Sequence, residues 1–395
     1  MTAAARPPAL DVDALIDDRR TRIIVCCGSG GVGKTTTAAA IGLRAAERGR
    51  HVVVLTVDPA RRLAQSMGLS LLDNTPRPVP GLARNGSAAG GSLHAMMLDM
   101  KRTFDEIVEA HADPDRAAQI LANPFYQSLS SSFAGTQEYM AMEKLGQLRR
   151  SDSWDLIVVD TPPSRSALDF LDAPQRLSRF LDGRLLRLLT APAKVGGRAY
   201  LRVLNAGFGM VTGALNKILG AQVLRDVQTF VSALDTMFGG FRERADYTYQ
   251  LLRAQGTSFM VIASPEPDAL REASYFVERL ASEQMPLAGL VLNRVHELPA
   301  ARLSAARSLA AAETLQAADD GHADGAQDGA GGHALAVAAL RLHAGRMELA
   351  ASERRLAEHF TAAHPHIPVV QIPAQPEDVH DLEGLAAIGE SFLRA

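Results

Sequence analysis

The chain has 395 residues, of which 47% are hydrophobic and 22% are charged, and its formal net charge is −3 at pH 7. This length suits two or three conventional domains or one large α/β domain with insertions, and the near balance of charges gives no electrostatic indication of nucleic acid as a partner. The two cysteines, Cys26 and Cys27, are adjacent, which excludes a disulfide framework and a four-cysteine metal site within the chain.

The predicted elements begin after an N-terminal tail. Residues 1–20 are rich in Ala and Pro and then charged, without the apolar region of a signal peptide, and they predict a cytoplasmic protein. Beyond them, apolar β-branched runs alternate with segments of helical period such as 35–48 and 270–280, which predicts an α/β fold with a parallel sheet wrapped by helices. The six runs expected to form buried strands are 23–27, 52–57, 156–159, 259–263, 290–292 and 369–372.

Two segments interrupt this alternation. Roughly 95 residues separate the third run from the fourth, far more than one crossover needs, so we predict a helical insertion over 171–257. Within it, residues 203–224 carry a single charge; they are long enough to span a bilayer, but Asn205 and Asn216 would be costly in lipid, and a spanning helix is not predicted. Residues 319–333 are rich in Gly, Ala and Asp and predict a flexible linker.

Directly after the first run, residues 28–35 read Gly-Ser-Gly-Gly-Val-Gly-Lys-Thr, which satisfies the phosphate-binding pattern G-x-x-x-x-G-K-[ST]. The glycines let backbone N–H groups turn inward as an anion nest, and the following helix adds the positive end of its dipole. Lys34 would bridge the β- and γ-phosphates of a nucleotide, and Thr35 would bind Mg²⁺. The residues expected to contact ATP or ADP are Gly28, Ser29, Gly30, Gly31, Val32, Gly33, Lys34, Thr35 and Thr36.

A carboxylate at the end of the third run supplies the second part of this site. Asp160 follows the apolar residues 156–159 and precedes Thr161-Pro162-Pro163. In an open α/β sheet, ligands bind at the carboxyl ends of the strands. Asp160 is therefore predicted to hold Mg²⁺ through water, opposite the phosphate loop.

The crowded glycines resemble the deviant Walker A loop of the ArsA, MinD and ParA class of dimeric ATPases, which belongs to the SIMIBI class of P-loop NTPases. In that class a signature lysine at the position of Ser29 reaches across a dimer interface to the partner's nucleotide, and serine is too short and uncharged to do so. The segment from Asp58 to Leu63 reads DPARRL and resembles the switch I segment DPAxxL of ArsA and the tail-anchored-protein targeting ATPases. The resemblance implies that Asp58 orients the attacking water and acts with Lys34 in catalysis.

Two later segments extend the resemblance to the same branch. Leu292-Asn293-Arg294 resembles the segment whose asparagine, here Asn293, reads the adenine edge. The segment that includes Pro373 resembles the C-terminal loop beside adenine. The implied division is a tail over 1–20, a P-loop ATPase domain over 21–170 and 258–395, and the helical insertion over 171–257.

The resemblance also implies partners. In the targeting ATPases the insertion binds a hydrophobic client helix, so residues 203–224 are the candidate surface for a hydrophobic protein or a membrane-associated client. The chain lacks both the CxxC pair that binds zinc between subunits there and the arsenite-binding cysteines of ArsA. Two functions stay open: a Mg²⁺-dependent ATPase whose dimer closure moves the insertion, or a nucleotide-binding regulatory subunit with little activity alone. Because Ser29 offers no lysine in trans, the resemblance to paired bacterial ArsA-like proteins implies a heterodimer with a lysine-bearing paralogue, with a homodimer as the alternative.

Overall fold

The computed structural model describes most of the chain outside the predicted insertion. The described residues are 8–57, 61–81, 90–124, 126–127, 136–162, 243–244, 246–297, 300, 302–321 and 333–394. Asp58 lies outside them, and so do residues 163–242, which hold most of the predicted insertion and its apolar segment 203–224.

Eight strands form one sheet in the order β3-β4-β2-β5-β1-β6-β7-β8. Neighbouring strands are parallel except β3 and β4, which are antiparallel. The predicted α/β fold with a parallel sheet wrapped by helices is confirmed. The strands are β1 Ile23–Cys27, β2 His51–Thr56, β3 Arg77–Pro78, β4 Ser92–Met97, β5 Leu156–Asp160, β6 Thr257–Ala263, β7 Leu287–Val295 and β8 Val369–Pro373.

Helices make most of the connections, as parallel strands require. The helices are α1 Val12–Asp17, α2 Lys34–Glu47, α3 Arg61–Ser66, α4 Met100–His111, α5 Pro114–Ala122, α6 Thr136–Arg150, α7 over residues 246–253, α8 Pro267–Ser282, α9 Ala305–Gly321, α10 Ala334–Ala363 and α11 Leu382–Ser391. Small buried residues bring α2 close to the sheet: a Cβ on Gly42 would lie 2.6 Å from Cγ2 of Val54 in β2. This close packing holds α2, which follows the predicted phosphate loop, against the sheet.

The core lies on both faces of the central strands. Every residue of β1 and of β5 is buried, because helices cover both faces of a parallel sheet. This is why these strands read as continuous apolar runs rather than as alternating ones. Each fully buried side chain such as Ile23 or Val158 contributes about 1.5–3 kcal/mol of hydrophobic stabilisation.

The predicted N-terminal tail differs from the structure from residue 8 onward. Val12 and Ile16 of α1 are fully buried, and the backbone before α1 pairs with β8 through Leu10. The sequence predicted a tail here, but Asp13 forms ion pairs with Arg44 of α2 at 2.8 Å and with Arg48, which caps the C-terminus of α2, at 3.2 Å. Apolar residues four positions apart with acidic neighbours thus make a short helix that packs on the domain.

The structure also moves one boundary each of the predicted linker and of the predicted insertion. Helix α9 continues to Gly321, so the helix extends into the linker expected over 319–333; residues 322–332 lie outside the described ranges. Thr257, the last residue of the predicted insertion, opens β6 instead, and Leu252 of α7 is buried in the core. None of the described helices combines the length and the apolar composition that crossing a bilayer requires.

His94 gives the fold a pH-dependent stability. It lies on β4 with its ring centroid 4.8 Å from that of Trp154, and burial, followed by the charge of His51, lowers its pKa below the usual 6.5. As the pH drops below 6.5, His94 therefore becomes protonated in the unfolded chain before it does in the folded chain. The free energy of unfolding falls as a result. We expect His94→Gln to weaken this dependence, as measured by urea unfolding above and below that pH. An equal pH dependence in both proteins would contradict the assignment.

Candidate nucleotide site

The predicted phosphate loop joins β1 to α2 at the carboxyl edge of the sheet. Gly31 and Gly33 have φ angles of 81° and 90°, in the left-handed region that glycine enters without strain. A Cβ on Gly28 would lie 2.1 Å from the carbonyl oxygen of Ile262 in β6. The path of the backbone therefore requires glycine at these three positions.

Lys34 is the first residue of α2 and is only 6% exposed. Its Nζ donates a hydrogen bond to the carbonyl oxygen of Ser29 at 2.8 Å, which folds the side chain back along the loop. Gly33, at the N-cap of α2, has no side chain to accept from the first amides of the helix, so an anion can accept from them. The loop thus combines an ammonium with helix amides, the two groups that bind phosphate.

Asp160 and Thr35 meet beside this loop. Pairing of β5 with β1 brings Asp160 to the loop, and its Oδ2 accepts from Oγ1 of Thr35 at 2.7 Å and from Oγ1 of Thr56 at 2.9 Å. Asp160 is fully buried, and a nearby cation would offset the desolvation of its carboxylate. Carboxylate and hydroxyl oxygens are ligands that Mg²⁺ prefers. These residues therefore fit a Mg²⁺ site.

Cys26 and Cys27 end β1, directly before the loop, and both are buried. Burial, together with the charge of Asp160, raises the pKa of Cys26, and burial raises the pKa of Cys27 to about 12. Both remain protonated at neutral pH, and a thiol in this form is neither a nucleophile nor a metal ligand. Within the described ranges, no group of three or more His, Cys, Asp and Glu side chains could hold a metal ion.

Asn293 reaches the loop from the end of β7. It is 8% exposed, and its Nδ2 donates to the carbonyl oxygen of Val32 at 2.8 Å. Its Oδ1 accepts from the backbone N–H of Arg294, whose φ of 62° turns the chain at this point. The structure thus brings Asn293 to the phosphate loop, where it holds the backbone. Its contact with adenine stays a prediction, which would require the amide to exchange these bonds for the base.

The remaining predicted residues differ in how the structure places them. Pro373 ends β8, and the next N–H, from Ala374, donates to the carbonyl oxygen of Val295 at 2.9 Å, so Pro373 lies at the same sheet edge as Asn293. Asp58 is outside the described residues. The N–H of Val57 just before it donates to the last carbonyl of β5 at 3.1 Å, which brings the chain to the Thr35–Asp160 pair.

A cleft that the sequence did not reveal borders the loop. It has a volume of about 450 Å³ and lies between the loop and the start of α8. The loop side includes Ser29 and Gly30, and the α8 side includes Glu266, Asp268 and Glu272. Nothing in the sequence of residues 265–273 indicated that its carboxylates line one cleft with Ser29, the position of the absent signature lysine.

Replacement of Gly33 by alanine tests the contact between the loop and Asn293. Gly33→Ala would bring a Cβ to 2.3 Å from Nδ2 of Asn293 and would impose a φ of 90° on alanine. We expect a loss of about 1–3 kcal/mol in the free energy of unfolding and weaker ATP binding, measured by urea unfolding and calorimetry. Gly31→Ala is the matched control, because it imposes a similar φ of 81° on alanine while its Cβ would meet nothing within 4 Å; it should therefore lose less stability than Gly33→Ala. Equal losses in both variants would show that the Asn293 contact is unimportant.

The phosphate loop, α2 and the Thr35–Asp160 pair, at the carboxyl edge of a mainly parallel sheet, define a P-loop NTPase. The chain belongs to the ArsA family, described as anion-transporting ATPase, whose model matches residues 21–319. It is therefore an ATPase, and the resemblance found in the sequence is confirmed at the level of the family.

Several curated relatives agree with this assignment. The ATPase GET3 of Podospora anserina is 25% identical over 286 residues, which cover 72% of this chain and 76% of that protein. The ATPase get3 of Aspergillus terreus is 26% identical over 288 residues, 72% of this chain and 76% of that protein. The ATPase GET3 of Malassezia globosa is 29% identical over 179 residues, 45% of this chain and 49% of that protein.

Proposed function

We propose that this ATPase hydrolyses ATP with Mg²⁺ at the loop between β1 and α2. The observation that carries the proposal is the 2.7 Å hydrogen bond between Thr35 and Asp160, directly beside the loop. In the proposed site the amides of residues 28–36 and Lys34 hold the phosphates. Thr35 would bind Mg²⁺ directly, and Asp160 would bind it through water.

Positioning and charge stabilisation account for the proposed catalysis. Lys34 leaves the carbonyl oxygen of Ser29 and places its charge on the β- and γ-phosphates, where negative charge develops. Asp58 orients the attacking water, and Asn293 with the backbone near Pro373 recognises adenine. Mg²⁺ held by Thr35 and Asp160 would further stabilise the charge on the phosphate oxygens.

ATP binding would close a dimer over this edge of the sheet and move the helical insertion, residues 171–257. The composition of residues 203–224 supports a hydrophobic protein or membrane-associated client, reached from a cytoplasmic location. Because Ser29 cannot act in trans, a heterodimer with a lysine-bearing paralogue would complete the site of this chain; a homodimer would do without that lysine. The alternative function is a nucleotide-binding regulatory subunit with little activity alone.

Ser29→Lys separates the enzyme from the regulatory subunit. The proposal expects the purified wild-type chain to release phosphate from ATP by itself. A regulatory subunit would bind ATP with little release and would gain activity in Ser29→Lys, because two copies could then exchange lysines; one such cation is worth on the order of 10³-fold. Ser29→Ala is the matched control, since it changes the side chain without adding charge.

A further inference from the structure

Helix α10 carries an exposed row of leucines at seven-residue intervals. Leu335, Leu342 and Leu349 are 82%, 65% and 44% exposed, and Leu356, seven residues further on, packs against the core. A period of seven on a helix is the spacing of a coiled-coil seam. The row is therefore one stripe: its C-terminal end packs on the core, and none of the described residues covers its N-terminal part.

The second row of the seam lies four residues after each leucine. Its C-terminal members, Glu353 and Phe360, are buried, while Ala339 and Arg346 are exposed. The opposite side of α10 is already used, because Val337 and Ala344 are buried where α9 packs along α10. We define the exposed seam as residues 335, 339, 342, 346 and 349.

The exposed seam projects past the nucleotide edge of the sheet. Glu353 accepts from the backbone N–H of His296 at 2.9 Å and contacts its Nδ1 at 2.7 Å, and His296 directly follows the end of β7. Leu335 lies 18 residues before Glu353, which corresponds to about 27 Å of helix at 1.5 Å per residue. The rising exposure of the three leucines toward Leu335 agrees with a helix that leaves the body of the domain.

Arg346 interrupts this apolar seam at its centre. It is exposed and forms no ion pair with the described residues. A charged side chain in a coiled-coil seam is destabilising unless the facing helix offers a counter-charge, and such positions specify the partner. In a second copy of this chain the carboxylate of the seam, Glu353, is engaged by His296, so self-pairing would set Arg346 against leucine, alanine or another arginine.

We propose that the exposed seam docks a helix of a different subunit, which carries leucines at seven-residue spacing and a carboxylate opposite Arg346. The inference deepens the proposed function and rests on it for the position of that subunit over the nucleotide edge. The exposed seam lies on the side of the domain where a subunit that closes over ATP would sit. The family match ends at residue 319, before α10, so the seam is a feature outside the matched region.

A synthetic peptide tests the docking without requiring ATP turnover. The probe is a fluorescent 28-residue helix with leucine at every seventh position and one glutamate in the second row; a matched peptide carries lysine there. We expect wild-type chain to bind the glutamate peptide at least about 10-fold more tightly than the lysine peptide. Arg346→Glu should reverse the preference, and Leu342→Asp should abolish binding. Leu71→Asp, at an exposed leucine elsewhere, should leave it unchanged.

Equal binding of the two peptides, or no saturable binding, would overturn the proposal. A second measurement tests self-association: both natural cysteines are buried, so Leu342→Cys introduces an accessible thiol. Efficient disulfide cross-linking between two copies of this variant would assign the seam to a homodimer and reject the different subunit. Peptide binding without ATP hydrolysis would instead contradict the proposed function alone.

Discussion

Lys34→Ala is expected to lower the rate of ATP hydrolysis by about 10³-fold, because it removes the cation that the proposed mechanism places on the transferred phosphate. The side chain is nearly buried, and its Nζ lies 2.8 Å from the carbonyl oxygen of Ser29, so the ammonium is held at the loop before ATP binds. Alanine is the best helix former, and α2 should keep its start. Phosphate release at saturating ATP and Mg²⁺ measures the effect, with calorimetry to follow ATP binding.

Lys101→Ala is the matched control for this experiment. Lys101 is on α4, and its side chain is 47% exposed and forms an ion pair with Asp105 at 2.7 Å. The Asp105 carboxylate keeps the hydroxyl of Tyr126 as a donor at 2.6 Å, and Lys101 lies outside the proposed site, so the control should fold and hydrolyse ATP as the wild type does. Full activity in Lys34→Ala would reject the role of Lys34 and the loop as the site of hydrolysis.

The parts of the fold that local sequence determines were predictable. The strand before the phosphate loop, the glycines of the loop and the helix after it follow one another without a gap, so their pattern alone identified the site. The Thr35–Asp160 contact was predictable for a related reason, since strands of a parallel sheet end at one edge. The buried strands were predictable from their continuous apolar runs, and the α/β fold that these runs predicted is confirmed.

Strand β4 was not predicted because its residues have low β-strand propensity. Its sequence, Ser-Leu-His-Ala-Met-Met, has no β-branched residue, yet it pairs with β2 in parallel from Ser92 to Met97. Burial against neighbours overrides weak strand propensity. Helix α1 was missed for a comparable reason: its carboxylates suggested a tail, but their arginine partners, Arg44 of α2 and its C-cap residue Arg48, come near only in the folded chain.

The seam of α10 shows what the sequence alone could not reveal. The seven-residue spacing from Leu335 to Leu356 can be read from the sequence, but only the structure shows that the last leucine packs on the core and the first is 82% exposed. Likewise, the sequence singled out Asn293 without indicating that it holds the carbonyl of Val32. Whether a side chain is exposed, and what it contacts, depends on how helices and strands pack together. The local sequence pattern does not determine this.

Asp160→Asn is expected to lose the response to Mg²⁺ while it keeps the fold. An amide oxygen can accept from the hydroxyls of Thr35 and Thr56 as the carboxylate does, and the variant no longer buries a charge at this position. Because these two hydrogen bonds are kept, the free energy of unfolding without Mg²⁺ should change little. The rate of ATP hydrolysis should fall by about 10²–10³-fold, as for the loss of one charge-stabilising group.

Thermal unfolding with ATP alone and with ATP plus Mg²⁺ measures this effect apart from turnover. A ligand that binds only the folded chain raises its Tm, so Mg²⁺ should add to the shift in the wild type and add nothing in Asp160→Asn. Asp155→Asn is the matched control, because Asp155 precedes the same strand at the opposite edge of the sheet and accepts from the N–H of His51. A Mg²⁺-dependent shift that persists in Asp160→Asn would mean that other groups hold the metal. Loss of the shift with ATP alone would mean that the carboxylate shapes the phosphate loop itself.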